Sequence, residues 1–453
     1  MKAVVCVKIV NGELNPFDAC ALECALQTAD DVTIISMCPE SAKEPLSRLT
    51  RLGVKVILLT DNAFAGSDTL ATSRILSSAV NKLSYDIIFC GRQTIDGDTG
   101  QVGSCLATLL EIPVITNVLK FQIENDRVTA KTRLGEESAK LPVLLTVERI
   151  NDLRFPSIRS KLMPVTVWDN SILKIDKSHI GLSGSPTKVL KTFESKKGER
   201  KCKFINKEDL DDLVKKLMEG SAKENFVTGS QHKLKEVYAV GHEVEKQAFA
   251  IAEKVNFIDE TDPFKVAQTV KKANAQVVLW NADILGRRNA PVMQALLKTG
   301  LCADCTALET DGETLYMYRP AMSGNVIAKI ICRTQPVIAT VRTVSESSDI
   351  IVSGGKGTAF NFDLLKKLAE KFNAQICASR GLVDMGSAPY EMQVGLTGKN
   401  VSPKIYIAVG ISGAVQHTCA IENAAYVIAI NPDKNARIFE YSDYGIISTL
   451  ENF

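Results

Sequence analysis

Histidine is scarce: four in 453 residues. Metal chemistry therefore has few nitrogen ligands to draw on. No metal constellation and no serine–histidine–carboxylate set is apparent. An excess of one charge is also lacking, with 54 Lys and Arg against 52 Asp and Glu. That balance carries no nucleic-acid footprint. No apolar run reaches ~18 residues, so no membrane insertion is expected. The opening MKAVVCVKIVN is too short and polar-interrupted for a secretory signal, and it lacks the Arg/Ser-rich character of a transit peptide. It reads as the first strand of the fold itself.

Cysteine is present without a framework. The twelve are scattered through apolar segments such as IIFC and IIC. This fits a reducing compartment, and a cytoplasmic location is expected. Cys302 and Cys305 make a CxxC, but no second CxxC or nearby His completes a zinc set. They are read as packing residues, as are Cys20 and Cys24.

The length allows two or three domains. Residues 1–150 alternate strand and helix. Strands are expected at Lys2–Val10, Val32–Met37, Val54–Leu59 and Asp86–Cys90. Helices are expected at Asp18–Thr28, Glu40–Arg51 and Ser67–Leu83. The alternation predicts an α/β fold with a doubly wound parallel sheet, whose ligands lie beyond the carboxyl ends of the strands. Two loops fall there: Lys8–Asp18, containing NPFD, and Gly91–Gly103, GRQTIDGDTGQVG. The second packs Asp96, Gly97, Asp98, Thr99 and Gln101 before a helix from about Gln101 and Val102. Backbone N–H groups, the Thr hydroxyl and the helix start suit phosphate. The carboxylates suit ribose hydroxyls, but acids so near a phosphate must turn away or be neutralised.

The chain repeats itself. Residues 86–149 run strand, loop, helix, strand, hairpin, then PVLLTVER. Residues 276–343 run likewise to PVIATVRT. Only the first copy has the nucleotide-type loop, so one nucleotide site is expected there and none in the second. Pro164–Lys235 loses this regularity. It holds a charged run, ESKKGERKCK, an amphipathic helix from Glu208 to Met218, and a polar linker.

Gln393–His417 reads QVGLTGKNVSPKIYIAVGISGAVQH. It is a glycine-punctuated loop, a strand over Lys404–Val409, and a glycine turn into a helix expected near Ser412. Small residues at Gly410, Ser412, Gly413 and Ala414 suit close approach of a ligand. GGKGTAF at Gly354–Phe360 is another glycine turn before a helix.

QVGLTGK, GISGAVQH, SRGLVD at Ser379–Asp384, Asn431 and Asp443–Gly445 together resemble the FAD-binding domain of the electron transfer flavoprotein alpha subunit. Residues 1–220 resemble the beta subunit and 235–453 the alpha subunit, fused in one chain. The resemblance implies three doubly wound domains, two forming a pseudo-symmetric base and one carrying FAD. It divides the chain into a beta-like nucleotide domain (1–163), an arm and linker (164–234), a shortened alpha-like domain I (235–344) and the FAD domain (345–453).

It also implies roles. Arg380 lies over the flavin ring and stabilises its negative charge. Thr397 donates to N5, and His417 reaches the pyrimidine carbonyl. Ser412 and Gln416 contact the pyrophosphate or ribityl chain. Asn431 fits the adenosine end and Asp443 a ribose or adenine contact. Gln393, Gly395, Gly398 and Gly413 frame the loops. Leu396 stands where the family commonly has glutamine, and Thr418–Ile421 departs from the usual ending.

GRQ–IDGDT–QVG and NPFD resemble the electron-bifurcating branch, which implies a second FAD at the 91–103 loop, with NADH as donor. In the conventional branch that site holds AMP. Thr94, Gly100 and Ser104 depart from the bifurcating pattern. The expected function is an electron carrier passing electrons from NADH to ferredoxin or flavodoxin and to an acyl-CoA dehydrogenase-type partner. The alternative is a conventional shuttle with one FAD and AMP. RFPSIRSKLMP at Arg154–Pro164 loosely matches the beta subunit's partner-recognition region. The C-terminal fold also resembles NAD-dependent deoxyhypusine synthase and sirtuin-like enzymes, but no catalytic Lys or His set supports that reading.

Overall fold

Aliphatic and β-branched runs set the sheets. Val143–Val147 and Ile405–Val409 are buried at every position, the pattern of parallel strands covered on both faces. Each such Val, Leu or Ile contributes about 1.5–3 kcal/mol by leaving water. The computed structural model describes residues 1–194, 200–219, 230, 232–322, 326–343, 348–395, 398–399, 401–421 and 424–453. The chain forms two compact units.

The first unit comprises Met1–Thr192, Gly229–Met322 and Ala328–Val341. Its larger sheet is ordered Thr166–Trp168, Lys55–Leu59, Asp31–Met37, Lys2–Cys6, Ile87–Gly91, Val143–Val147, Val114–Glu124, Arg127–Thr132, Gly135–Lys140. The first seven strands run parallel. The last two add an antiparallel meander. A second, all-parallel sheet is ordered Ala252–Ile258, Leu234–Val240, Val277–Asn281, Val337–Val341, Leu301–Cys305. Its order repeats the middle of the first sheet, as the internal repeat predicts. The second copy is shorter. Among the described residues it has no counterpart of the strand Lys55–Leu59 and passes from Ala252–Ile258 through one helix, Pro263–Lys272, to Val277. The equivalent helices of the two copies, Val102–Leu109 and Ile284–Leu297, meet. Cys105 Sγ donates to Gln294 Oε1 at 3.0 Å and to the Pro291 carbonyl at 3.2 Å.

The second unit comprises Phe193–Thr228, Ser323–Ile327 and Arg342–Phe453. Its parallel sheet is ordered Lys203–Phe204, Tyr444–Ile446, Tyr426–Ile430, Ile405–Val409, Ile350–Gly354, Gln375–Ser379, Gln393–Val394. Strand order reverses between Ile350–Gly354 and Ile405–Val409, which makes a topological switch point. The mid-chain segment belongs to this unit. The helix Leu210–Glu219 buries Leu210, Val214 and Leu217, at helical spacing, in the cluster that holds Ile350, Leu365 and Ile407. Thus the stretch expected as an arm, 164–234, is divided, with its described residues through Thr192 in the first unit and 200–219 in the second.

Three sequence expectations change. The first strand ends at Cys6, and Ile9–Val10 turns back on Glu13–Leu14. Asn11 and Gly12 both have positive φ, which suits a two-residue hairpin loop. The helix expected over Glu40–Arg51 is a regular helix only at Lys43–Leu49, with tighter turns on either side. The helix expected from Ser412 shrinks to one turn, Val415–Thr418. Gly410 and Gly413 have positive φ, and the Ser412 carbonyl instead accepts the Ile438 N–H at 3.2 Å. Among the described residues, no helix is long and apolar enough to cross a membrane.

Candidate functional site

The strand Ile87–Gly91 ends on a glycine because the N-terminal loop is pressed against it. A Cβ on Gly91 would stand 2.3 Å from Asp18 Oδ1 and 2.7 Å from Phe17. Asn15 ties the two loops together. Its Nδ2 donates to the Gln93 carbonyl at 2.9 Å, and its Oδ1 accepts the Ile95 N–H at 3.2 Å. Arg92 lies over the Phe17 ring at 5.2 Å and 3.6 Å from Glu148, which also pairs with Arg133 at 2.8 Å. The two loops expected at the carboxyl ends of the strands are therefore one structure.

They enclose a cavity of about 380 Å³, within the usual range for small-molecule sites. Gly97, Thr99, Gln101 and Val102 line it, as does Gly100. The nearest atoms to a Cβ at Gly97 or Gly100 would lie at 3.4 and 3.5 Å, ordinary contact distance, and Gly100 has a positive φ of 62°. Gln101 is buried. Its Oε1 accepts the Thr69 hydroxyl at 2.5 Å, and its Nε2 reaches the Leu301 carbonyl of the second copy at 3.5 Å. Gly103 seats its helix on the sheet, since a Cβ there would meet Thr146 at 2.4 Å.

Asp96 and Asp98, expected to meet ribose hydroxyls, are not in the lining. Asp96 pairs with Lys8 at 2.5 Å. Burial pushes its carboxyl up, but Lys8 and Thr94 outweigh that and hold it below the usual range. Asp98, at φ 52°, accepts from Gln93 Nε2 at 3.1 Å. Both acids brace the loop.

Lys8, Asp18, Asp68 and Arg319 line the cavity without having been singled out from sequence. Asp18 is 4 % exposed and accepts the Lys8 N–H at 2.8 Å. Burial pushes its carboxyl up to about 7. Asp68 caps the helix Thr69–Val80 and takes both the N–H and the hydroxyl of Thr187 at 2.8 Å. Asp18 carried a signal in NPFD, and Asp68 in its cap position before TLATSRIL. Arg319 carried none.

In the second unit the switch point is made of glycine against glycine. A Cβ on Gly355 would stand 2.0 Å from the Gly410 carbonyl oxygen. One on Gly413 would stand 2.2 Å from the Ile438 nitrogen, and one on Gly398 2.2 Å from the Gln393 carbonyl oxygen. These glycines let chain approach chain. Gly395, at φ 147°, borders the Gln416 carbonyl, 3.0 Å from where a Cβ would sit. Ser412 and Gln416 are exposed, and Gln393 is buried. Arg380 is partly exposed, and its Nε donates to Asp384 at 3.2 Å. The Lys356 stem lies over Gly381, beside Arg380. Thr397 lies outside the described residues.

His417 is buried and held at both ring nitrogens. Nδ1 is 3.1 Å from the Val394 carbonyl and Nε2 is 2.9 Å from Tyr406 Oη. A carbonyl only accepts, so Nδ1 carries the proton and Tyr406 donates to Nε2. Burial lowers its pKa to about 4. It braces the loop after Val394. Asn431 donates to the Ile411 carbonyl at 2.9 Å and accepts from Asp433 N–H at 2.9 Å, organising the loop. Asp443 does not join the others. It precedes the strand Tyr444–Ile446 and accepts from Arg200 and from the Val427 N–H, at the amino ends of the strands. The other described candidates of this unit follow, or close, the carboxyl ends.

Comparison with known proteins gives the following. The family model described as "Electron transfer flavoprotein domain" matches residues 3–172 and 234–377. The one described as "Electron transfer flavoprotein FAD-binding domain" matches 345–422. The chain is 44% identical over 194 residues to the electron transfer flavoprotein subunit beta of Thermoanaerobacterium thermosaccharolyticum, covering 40% of this chain and 75% of that protein. It is 35% identical over 242 residues to subunit alpha of the same organism, covering 43% and 73%. It is 38% identical over 196 residues to the caffeyl-CoA reductase-Etf complex subunit CarD of Acetobacterium woodii, covering 40% and 75%.

Proposed function

This chain belongs to the electron transfer flavoprotein family, with beta-like and alpha-like parts in one polypeptide, and from that premise we propose a flavin-based, electron-bifurcating carrier. It takes FAD in the C-terminal unit and a second FAD at the 91–103 loop. Its electrons come from NADH. They divide between a low-potential acceptor of the ferredoxin or flavodoxin kind and an acyl-CoA dehydrogenase-type partner. The observation that carries this reading is the cavity at the 91–103 loop, lined by Gly97 and Gly100 and held by a loop that Asp96 and Asp98 brace.

The chemistry when FAD is bound is the acceptance of one or two electrons by its ring. This chain's residues do the rest. At the switch point Ser412 and Gln416 offer exposed polar groups, while Arg380 supplies a cation whose charge favours an anionic neighbour. Neutral His417 holds Val394 in place without adding a charge. The similarity to a caffeyl-CoA reductase complex subunit supports an acyl-CoA-class partner. Phe155 and Ile158 are 96% and 97% exposed, beyond an Arg154–Glu23 pair at 2.7 Å that anchors the segment. They suit docking of that partner.

The test is extraction of nucleotides with mass identification, counted per chain, with NADH added anaerobically to the intact protein. Two FAD and bleaching by NADH are expected. One FAD with one AMP and no response to NADH would mark a conventional shuttle.

A further inference from the structure

We infer that Cys6 and Cys90 are a dithiol modification site at the floor of the first copy's cavity, which hydrogen peroxide converts to a disulfide. The site goes beyond the electron-carrying reading and does not depend on which molecule the cavity holds.

Strand register brings the pair together. Lys2–Cys6 and Ile87–Gly91 run parallel, and Cys6 stands opposite Cys90. Register partners share a face, and neighbouring strands lie about 4.8 Å apart. That spacing falls inside the Cα separations of roughly 4.4–6.8 Å that a disulfide spans. Alternation sends Val4, Cys6, Ile88 and Cys90 to one face of the sheet, and Val5 and Phe89 to the other. The two thiols are the last side chains of their face, and both line the cavity. From Lys2–Cys6 the sheet continues to Asp31–Met37 on one side, and from Ile87–Gly91 to Val143–Val147 on the other. The pair therefore sits at this sheet's topological switch point, where such folds admit small molecules.

The second copy shows the alternative. Its equivalent register pair, on Leu234–Val240 and Val277–Asn281, is Val240 and Trp280, 3% and 2% exposed. Bulk fills the place there. The first copy puts two small thiols in it, 8% and 5% exposed, with the cavity in front of them. Cys302 also lines the cavity, but its CxxC partner Cys305 is fully buried in the second copy's apolar core.

The two sulfurs are unequal. Cys90 donates its S–H to Cys6, and that bond together with burial holds the Cys90 thiol well above its usual pKa. Cys90 keeps its proton, so Cys6 is the attacking sulfur. Cys6 attacks a peroxide oxygen: the O–O bond breaks, an S–O bond forms and water leaves. Cys90 then attacks the sulfenic sulfur: the S–O bond breaks, the S–S bond forms, and a second water leaves with the Cys90 proton. Two thiols lose two electrons and two protons, and hydrogen peroxide takes up both. A small dithiol reverses the step by exchange. Transient disulfides of this kind are the ones a reducing compartment permits.

The test treats the full-length protein with hydrogen peroxide, both as purified and after removal of any bound nucleotide. The protein is then unfolded, alkylated and mapped by mass spectrometry. The twelve thiols are expected to fall to ten, with the peptides carrying Cys6 and Cys90 joined, and dithiothreitol should restore all twelve. Cys90→Ser should block the joining and leave a sulfenic acid on Cys6 that dimedone traps. Cys6→Ser should give neither product. The wild-type map decides the site even where a variant fails to fold. A wild type that keeps twelve thiols in both preparations, or that joins Cys302 to Cys305 instead, overturns the assignment. Dimedone capture on Cys90 of C6S as fast as on Cys6 of C90S overturns Cys6 as the attacking sulfur.

Discussion

Two glycine-rich regions, alike in composition, use glycine for opposite ends. In the 91–103 loop, Gly97 and Gly100 line the cavity, and a Cβ on either would meet nothing closer than ordinary contact distance. At the C-terminal switch point, Gly355, Gly410 and Gly413 are filled by neighbouring chain. One set leaves room for a guest, and the other closes the backbone on itself and leaves binding to flanking side chains. A glycine motif is therefore evidence of close approach, and only the fold says what approaches.

The largest effect that sharpens this contrast is Gly355→Ala. Its Cβ would stand 2.0 Å from a backbone oxygen, which no rotamer relieves. About 3–5 kcal/mol of destabilisation is expected in the C-terminal unit, seen as early thermal unfolding with loss of visible flavin absorbance. A variant that melts with wild type would break the comparison.

Next come two titrations of opposite sign. Asp18 has its pKa raised from 3.8 to about 7, so the folded state holds a proton that the unfolded state has released between those values. Its contribution to stability is lost as pH rises from about 4 through 7, by roughly 4 kcal/mol at full effect. His417 is lowered from 6.5 to about 4, so the unfolded state binds the extra proton. Its contribution is lost as pH falls from 6.5 towards 4, by roughly 3 kcal/mol. Denaturant melts of Asp18→Asn and His417→Gln against wild type across pH 4–8 read each group separately. The wild-type-minus-variant differences should slope in opposite directions, and equal slopes would refute both assignments.

The smallest effect is Gly97→Ala. With no strained φ and no contact under 3.4 Å, it should change stability by less than about 0.5 kcal/mol. Any change should appear as weaker retention of the second nucleotide on gel filtration. A large stability loss would place Gly97 with the C-terminal glycines.

The sheets were legible because buried parallel strands write themselves as apolar runs, and the repeat because PVLLTVER and PVIATVRT end equivalent units. The 91–103 loop was legible by its density of turn residues. The bracing by Asp96 and Asp98 was not legible, because a carboxylate in a loop looks the same whether it meets a ribose or the loop's own lysine. The place of Asp443 before its strand was not legible, because nothing local distinguishes a residue before a strand from one after it. The Ser412 helix failed on two positive-φ glycines that fit a helix start equally well in one dimension. Arg319 was invisible: it is more than 200 positions from the loop it faces and differs from other arginines only in its surroundings.

The strand Lys203–Phe204 and the helix Leu210–Glu219 complete a sheet whose remaining strands begin at Ile350. Lys371 and Arg200 add ion pairs to Asp211 and Asp443 across that join. A protease cut just after Glu219 would therefore leave the severed front piece clamped to the rear one by its own edge strand. On that pairing, a single chain and two chains meeting there are expected to yield the same C-terminal body.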